Sequence, residues 1–229
     1  MLSVKNLCVS YGESVVIRDL SFEVKKNETV AIMGRNGMGK TTLMKSLIGV
    51  HKTRGGSIML DGKELAGLES YRRVKAGLGF VPQGRQIFSA LSVEDNIRTG
   101  LETAKVKKIE EWVYTTFPIL KEFRHRKGGN LSGGQQQQLA IARALVSGPK
   151  VLLLDEPTEG IQPSIIKDIA RTLNDLKQMR DLTIIVSEQV LSFTLAIADR
   201  ILVIESGAIV REDARASVDE ATISKYLSV

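Results

Sequence analysis

The chain has 229 residues, 43% hydrophobic and 25% charged, with a formal net charge of +6, enough for one large domain or a core carrying a smaller lobe. No apolar run approaches the roughly 18 residues of a membrane span, and a lone cysteine, Cys8, rules out an internal disulfide. The amino-terminal stretch lacks the basic start and apolar run of a secretory leader, so we expect a cytoplasmic location.

Taken in chain order, the first 25 residues or so read as extended and predict an antiparallel β layer. A strand at 29–33 and a helix at 40–49 follow. Next come a strand at 57–60 closed by the Asp61-Gly62 turn, a short helix at 70–75 and a strand at 78–81. Residues 86–150 then change character, with helical pieces at 92–101, 106–117 and 135–146 and no strand, punctuated by Pro118 and Gly128-Gly129. The alternation resumes with a strand at 151–154, a helix at 164–179, a strand at 183–186, a helix at 190–198 and a strand at 200–204 before the Ser206-Gly207 turn. Short strands alternating with amphipathic helices predict an α/β fold. We expect its core at 1–85 and 151–229, with a helical subdomain at 86–150 inserted in it. Basic residues occur in short groups (Lys105, Lys107, Lys108; Arg124, Arg126, Lys127) without interleaved aromatics, so we expect solvated faces and no nucleic-acid partner.

The most informative stretch is 29–50. An apolar strand leads into Gly34, Arg35, Asn36, Gly37, Met38, Gly39, Lys40 and Thr41, which fit G-x-x-x-x-G-K-[ST], and a helix follows. The glycines let several backbone N–H groups converge on phosphate oxygens, and the helix start adds its positive end. Lys40 can reach the β- and γ-phosphates, the Thr41 hydroxyl can ligate Mg²⁺, and Thr42 can donate to a phosphate. The second half of the site is VLLLDEPTEG at 151–160. Asp155, at the strand's carboxyl end, would hold Mg²⁺ through its hydration shell, and Glu156 would polarise a water aimed at the γ-phosphate. That adjacent carboxylate favours hydrolysis over phosphoryl transfer to a metabolite.

With LSGGQ at 131–135 between these motifs, the chain resembles the ATP-binding-cassette ATPases essentially end to end. The resemblance implies a P-loop NTPase (RecA-like) core with an antiparallel β layer and an inserted helical subdomain. It implies an ATPase with ATP and Mg²⁺ as ligands. Two ATP molecules would be sandwiched between head-to-tail protomers, with Ser132, Gly133, Gly134 and Gln135 contacting the ATP of the opposing subunit. Tyr11 falls where an aromatic stacks on adenine. Gln83 falls at the glutamine that touches Mg²⁺ or the attacking water, beside a groove that receives a transmembrane subunit's helix.

Two positions depart from the pattern. Gln189 stands where the family usually has a histidine; it can hydrogen-bond but not shuttle a proton, so it takes a positioning role. Gln162 stands near the usual site-coupling aspartate. His51 and His125 are expected at the surface, and Gln136, Gln137 and Gln138 on the outer face of their helix. A glutamine at the histidine position resembles the branched-chain amino acid importer ATPases, and 133–169 looks closest to the second ATP-binding subunit of urea importers. The resemblance thus implies an importer for a small polar solute, urea first and branched-chain amino acids or amides next. Its expected partners are integral-membrane permease subunits, a second ATPase subunit (or another copy) and, indirectly, a periplasmic or extracellular solute-binding protein. Its expected place is the cytoplasmic face of the cell membrane, in bacteria the inner one. A soluble cassette ATPase acting on nucleic acid or the ribosome, and a non-hydrolysing regulatory module, are the alternatives.

Overall fold

The computed structural model describes residues 1–104 and 106–227; Lys105, of the first basic group, lies outside the described residues. Strands β1 (Leu2–Tyr11) and β2 (Ser14–Val24) form a hairpin, and β3 (Thr29–Met33) enters the core. Then come α1 (Lys40–Ile48), β4 (Gly55–Leu60), β5 (Lys63–Glu64), α2 (Ser70–Ala76) and β6 (Leu78–Val81). Helices α3 (Val93–Thr99), α4 (Glu111–Thr116), α5 (Pro118–Glu122) and α6 (Gly133–Leu145) fill the stretch before β7 (Val151–Asp155). The chain closes with α7 (Pro163–Arg180), β8 (Thr183–Glu188), α8 (Leu191–Ile197), β9 (Arg200–Glu205), β10 (Ala208–Ala214) and α9 (Glu220–Leu227).

These strands build two sheets. One is antiparallel, in the order β2-β1-β4-β5; the other runs β10-β9-β3-β8-β7-β6 and is parallel except for its β10 edge. Strands β3 and β7 read as unbroken apolar runs because both faces are covered. Successive side chains alternate between two cores. Val30 and Ile32 of β3 pack with Leu43 and Leu47 of α1 and with Leu7 and Leu20 of the antiparallel layer. Ala31 and Met33 pack on the other side with Leu139, Leu173 and Phe193 of α6, α7 and α8.

Two buried polar side chains fix loops around this frame. Arg73 of α2 is buried and donates to the Ser46 and Leu47 carbonyls at the end of α1 (2.7 and 3.0 Å), taking up orphan acceptors of the last turn. Burial pushes its guanidinium below the ordinary arginine value. Asn96 of α3 donates to Phe88, Leu91 and Ser92 carbonyls and accepts from the Phe88 N–H, so one amide shapes the whole 88–92 loop.

The helical expectations differ in detail. The predicted 106–117 helix begins only at Glu111 and breaks at Phe117, because Pro118 starts α5 at the position where a missing N–H costs nothing. The predicted 92–101 helix is α3, capped by the Ser92 hydroxyl and continued by a short 3₁₀ turn.

Candidate active site

The 34–39 loop joins β3 to α1, and Gly39, the N-cap, has φ 105°. A Cβ there would be strained by the backbone and would stand 2.9 Å from Ile17 Cδ1 of β2, so the antiparallel layer presses directly on the loop. Lys40 is only 4% exposed: its ammonium donates to the Gly34 and Arg35 carbonyls at 2.7 and 3.0 Å and lies 3.1 Å from Glu156 Oε1. A cavity of about 210 Å³ opens here, lined by Val16, Asn36, Gly37, Gly39, Lys40, Thr41, Thr42, Gln83 and Glu156.

Asp155 ends β7 beside Ser187 of β8, its register partner. Its Oδ1 accepts from the Ser187 hydroxyl (2.6 Å) and the Thr41 hydroxyl (3.1 Å), while its buried Oδ2 has no donor among the described residues. Burial drives its carboxyl above the ordinary 3.8, with the Glu156 charge adding to the effect and the Ser187 and Thr41 hydrogen bonds opposing it. An orphan carboxylate oxygen costs about 1–3 kcal/mol or more. A buried carboxylate with one free oxygen next to a threonine hydroxyl fits a hard cation such as Mg²⁺, for which oxygen donors are the natural ligands.

Glu156 follows in a left-handed backbone conformation, φ 47°, a strain of about 1–3 kcal/mol for a non-glycine residue. Its N–H donates to the Ser187 carbonyl at 3.0 Å, which holds the turn against β8. Gln83 Nε2 donates to Oε2 at 3.1 Å, and Gln189 Nε2 donates to Oε1 at 3.0 Å and to Asn36 Oδ1 at 2.8 Å. One carboxylate is therefore oriented by an ammonium and two amides, from α1 and from the ends of β6 and β8.

The LSGGQ residues lie apart from these groups and do not line that cavity. Ser132 is the N-cap of α6 in a reciprocal capping box: its hydroxyl accepts from the Gln135 N–H (3.4 Å) and Gln135 Oε1 accepts from the Ser132 N–H (2.9 Å). Gly134 has a reason to be glycine inside this chain, since a Cβ there would come within 2.6 Å of Ile165 Cγ2 on α7. At Gly133 a Cβ would have Gly160 O at 3.3 Å and the Arg85 guanidinium at 3.4 Å. Arg85 itself donates to the Glu159 carbonyl at 2.8 Å and accepts at its own carbonyl from Arg143 of α6, so it braces the 83–86 loop, the turn after β7 and the α6 start together.

Other expectations resolve individually. Tyr11 is 49% exposed, with the His51 ring stacked on it at 4.1 Å between centroids. His51 is thus half-buried rather than a surface residue; His125 is exposed. Gln162 is the N-cap of α7 without a side-chain cap bond. Gln137 is buried, not on the outer face, because it stands one helical turn before Ile141 and two before Leu145 on the core-facing side of α6. Gln136 turns back to the Leu131 carbonyl at 3.1 Å. Sequence reasoning passed over Val16, Arg85, Ser187 and Glu188. The last two could have been found from their place at the carboxyl end of a strand flanked by β3 and β7, where α/β sheets place their ligands.

Known proteins share this arrangement. The family model described as "ABC transporter" matches residues 17–159. The chain is 40% identical over 221 residues, 95% of its length and 94% of the relative's, to the high-affinity branched-chain amino acid transport ATP-binding protein BraG of Pseudomonas aeruginosa. It is 33% identical over 92% of its length and 89% of the relative's to the lipopolysaccharide export system ATP-binding protein LptB of Haemophilus influenzae. A dimeric ATP-binding cassette in a post-hydrolysis state, bound to ADP and Pi, superposes with a TM-score of 0.84 at 25% identity, covering 94% of this chain and 99% of that one.

Proposed function

The chain belongs to the ABC transporter family as an ATP-hydrolysing cassette, and from that premise we propose that it powers an importer of a small polar solute. The observation that carries the mechanism is the convergence of Lys40, Gln83 and Gln189 on the two oxygens of Glu156. In this reading the N–H groups of 36–42 and the Lys40 ammonium hold the phosphates, and the Tyr11 ring receives the adenine. Thr41 and Asp155, with Gln83 nearby, would hold Mg²⁺, which when bound neutralises phosphate charge. Glu156 accepts the proton of the attacking water. Gln189 steers it, donating to Glu156 while resting on Asn36, and carries no proton itself.

Ser132, Gly133, Gly134 and Gln135 do not line their own chain's phosphate cavity, which supports the reading that they contact a partner's nucleotide. One helix start contributes only about 0.3–1 kcal/mol, so closure needs ATP at both sites and a head-to-tail second ATPase, a related subunit or another copy. The groove between the lobes, with Tyr71 and Phe88 exposed along it, would take a permease helix and hold the protein at the membrane's cytoplasmic face. Among the described residues no helix is long and apolar enough to cross a membrane; in this reading integral-membrane permease subunits supply the pore.

Two solute readings stand on different observations: similarity to BraG favours branched-chain amino acids, while the 133–169 stretch resembles urea-importer subunits. Similarity to LptB supports an export reading as the alternative. Co-purification from the native membrane decides among them. A solute-binding protein and two permeases that retain a branched-chain amino acid or urea support import; lipid-export partners overturn it.

A further inference from the structure

The carboxylate at the end of β8 is buried yet takes no part in the mechanism above. Glu188 is 2% exposed, and both its oxygens are fully engaged. Oε1 accepts from the Thr158 N–H at 3.0 Å and the Thr158 hydroxyl at 2.6 Å. Oε2 accepts from the Gln189 N–H at 2.9 Å and the Val190 N–H at 3.1 Å. Burying a carboxylate is costly unless such charge-assisted hydrogen bonds offset it. The four donors come from two turns only: the one after β7 that carries Glu156, and the one after β8 that carries Gln189. The Gln189 amide also crosses to Glu156, but by one bond to a side chain, whereas Glu188 holds backbone N–H groups of both turns.

We propose that Glu188 is a positioning residue for ATP hydrolysis, a four-bond staple that fixes the separation of Glu156 and Gln189. The physical case is one of register. Parallel pairing between β7 and β8 ends at Asp155 and Ser187, and the last backbone bond between them runs from the Glu156 N–H to the Ser187 carbonyl, so past Glu156 the ladder no longer sets how far apart the two turns lie. Glu188 takes over where the ladder stops. With both its oxygens occupied, it can neither accept a proton from water nor bind metal; its effect on the chemistry passes through Gln189. A glutamine in its place would turn an NH₂ group either toward the Thr158 N–H, breaking the link to the other turn, or toward the Gln189 and Val190 N–H groups, loosening its own.

The inference rests on the reading of Glu156 as the water-activating group, and the test separates the two. In the full-length chain with its copurifying partner subunits, kcat and KM for MgATP are measured for Glu156→Gln, Glu188→Gln, Gln189→Ala and the Glu188→Gln/Gln189→Ala double variant. Misplacement by about 1 Å predicts a roughly 10–100-fold loss of kcat for Glu188→Gln, with KM little changed. The double variant should be no slower than the slower single one, because both changes break one contact. Multiplicative losses, a wild-type kcat, or a KM that rises in step overturn the staple. Wild-type turnover by Glu156→Gln overturns the underlying reading instead. If Glu188→Gln does not fold, Thr158→Val removes one of the four donors and keeps the backbone. It should lose a smaller part of kcat, again without adding to Gln189→Ala; additivity there overturns the proposal equally.

Discussion

Glu156 carries the most consequence per atom. It sits in a strained backbone conformation, takes an amide on each oxygen and faces the Lys40 ammonium. Replacing it with glutamine keeps the size and removes the proposed base. We expect Glu156→Gln to bind ATP with near-native affinity, form an ATP-stabilised dimer on size-exclusion chromatography, and hydrolyse at least about 10²-fold more slowly. Gln189→Ala should slow turnover less than this, since the base remains; the reverse order in a steady-state assay would remove Gln189's secondary place. Asp155 is the opposite case, where function strains stability. Its carboxyl is held above the ordinary 3.8 by burial, so the folded state resists its ionisation, and the stability it contributes when protonated is lost as pH rises through the folded value. At neutral pH, Asp155→Asn should therefore melt no lower than wild type in metal-free buffer. It should lose the extra thermal stability that MgATP gives the native chain.

At the level of elements, α6 separates what could be read in the sequence from what could not. Its start, expected at 135, falls at Gly133, capped by Ser132 and Gln135; a serine followed three residues later by glutamine is a local signal that could have placed it. The role of Gly134 was not legible, since the residue that demands its missing side chain, Ile165, lies on α7 and is set by packing alone. The burial of Gln137 was hidden for the same reason: four consecutive glutamines look alike until the helix is docked. Its Nε2 is buried without a partner among the described residues, so Gln137→Leu should stabilise the protein by about 1–2 kcal/mol, read from the urea midpoint. A loss of stability would mean that the amide has a polar partner. The strand candidates were easy because strands buried on both faces are continuous apolar words. The staple at Glu188 was invisible because a carboxylate's role depends on which two turns meet it.

On the scale of the whole molecule, the two sheets are tied at the end remote from the phosphates by Arg200. Its guanidinium donates to Glu28 at 2.8 Å, to Glu212 at 2.5 Å and to the Glu23 carbonyl of β2. Burial alone would raise the Glu28 carboxyl, but the Arg200 and Lys25 hydrogen bonds and the Arg200 charge bring it below the ordinary 4.5. Its contribution is thus present above that value and lost as pH falls through the lowered one. Glu28→Gln should cost about 1 kcal/mol at neutral pH, and the difference from wild type should shrink on acidification below 4.5. A gap that persists at lower pH would assign the loss to packing instead of charge.

The strand order also has a consequence for biosynthesis. β3, every residue of it buried, is flanked only by β8 and β9, which begin at Thr183 and Arg200. The phosphate loop it supports is made early, but the strands that hold it, and the turn carrying Gln189, come from the last fifth of the chain. A ribosome adding about 5–20 residues per second needs roughly ten to thirty seconds to cover that interval. Throughout it β3 lacks both of its hydrogen-bonding neighbours, and the proposed hydrolytic cluster cannot be complete. Unfinished copies are in that sense safe from wasting nucleotide, and are exposed to aggregation for as long as the last strands are missing.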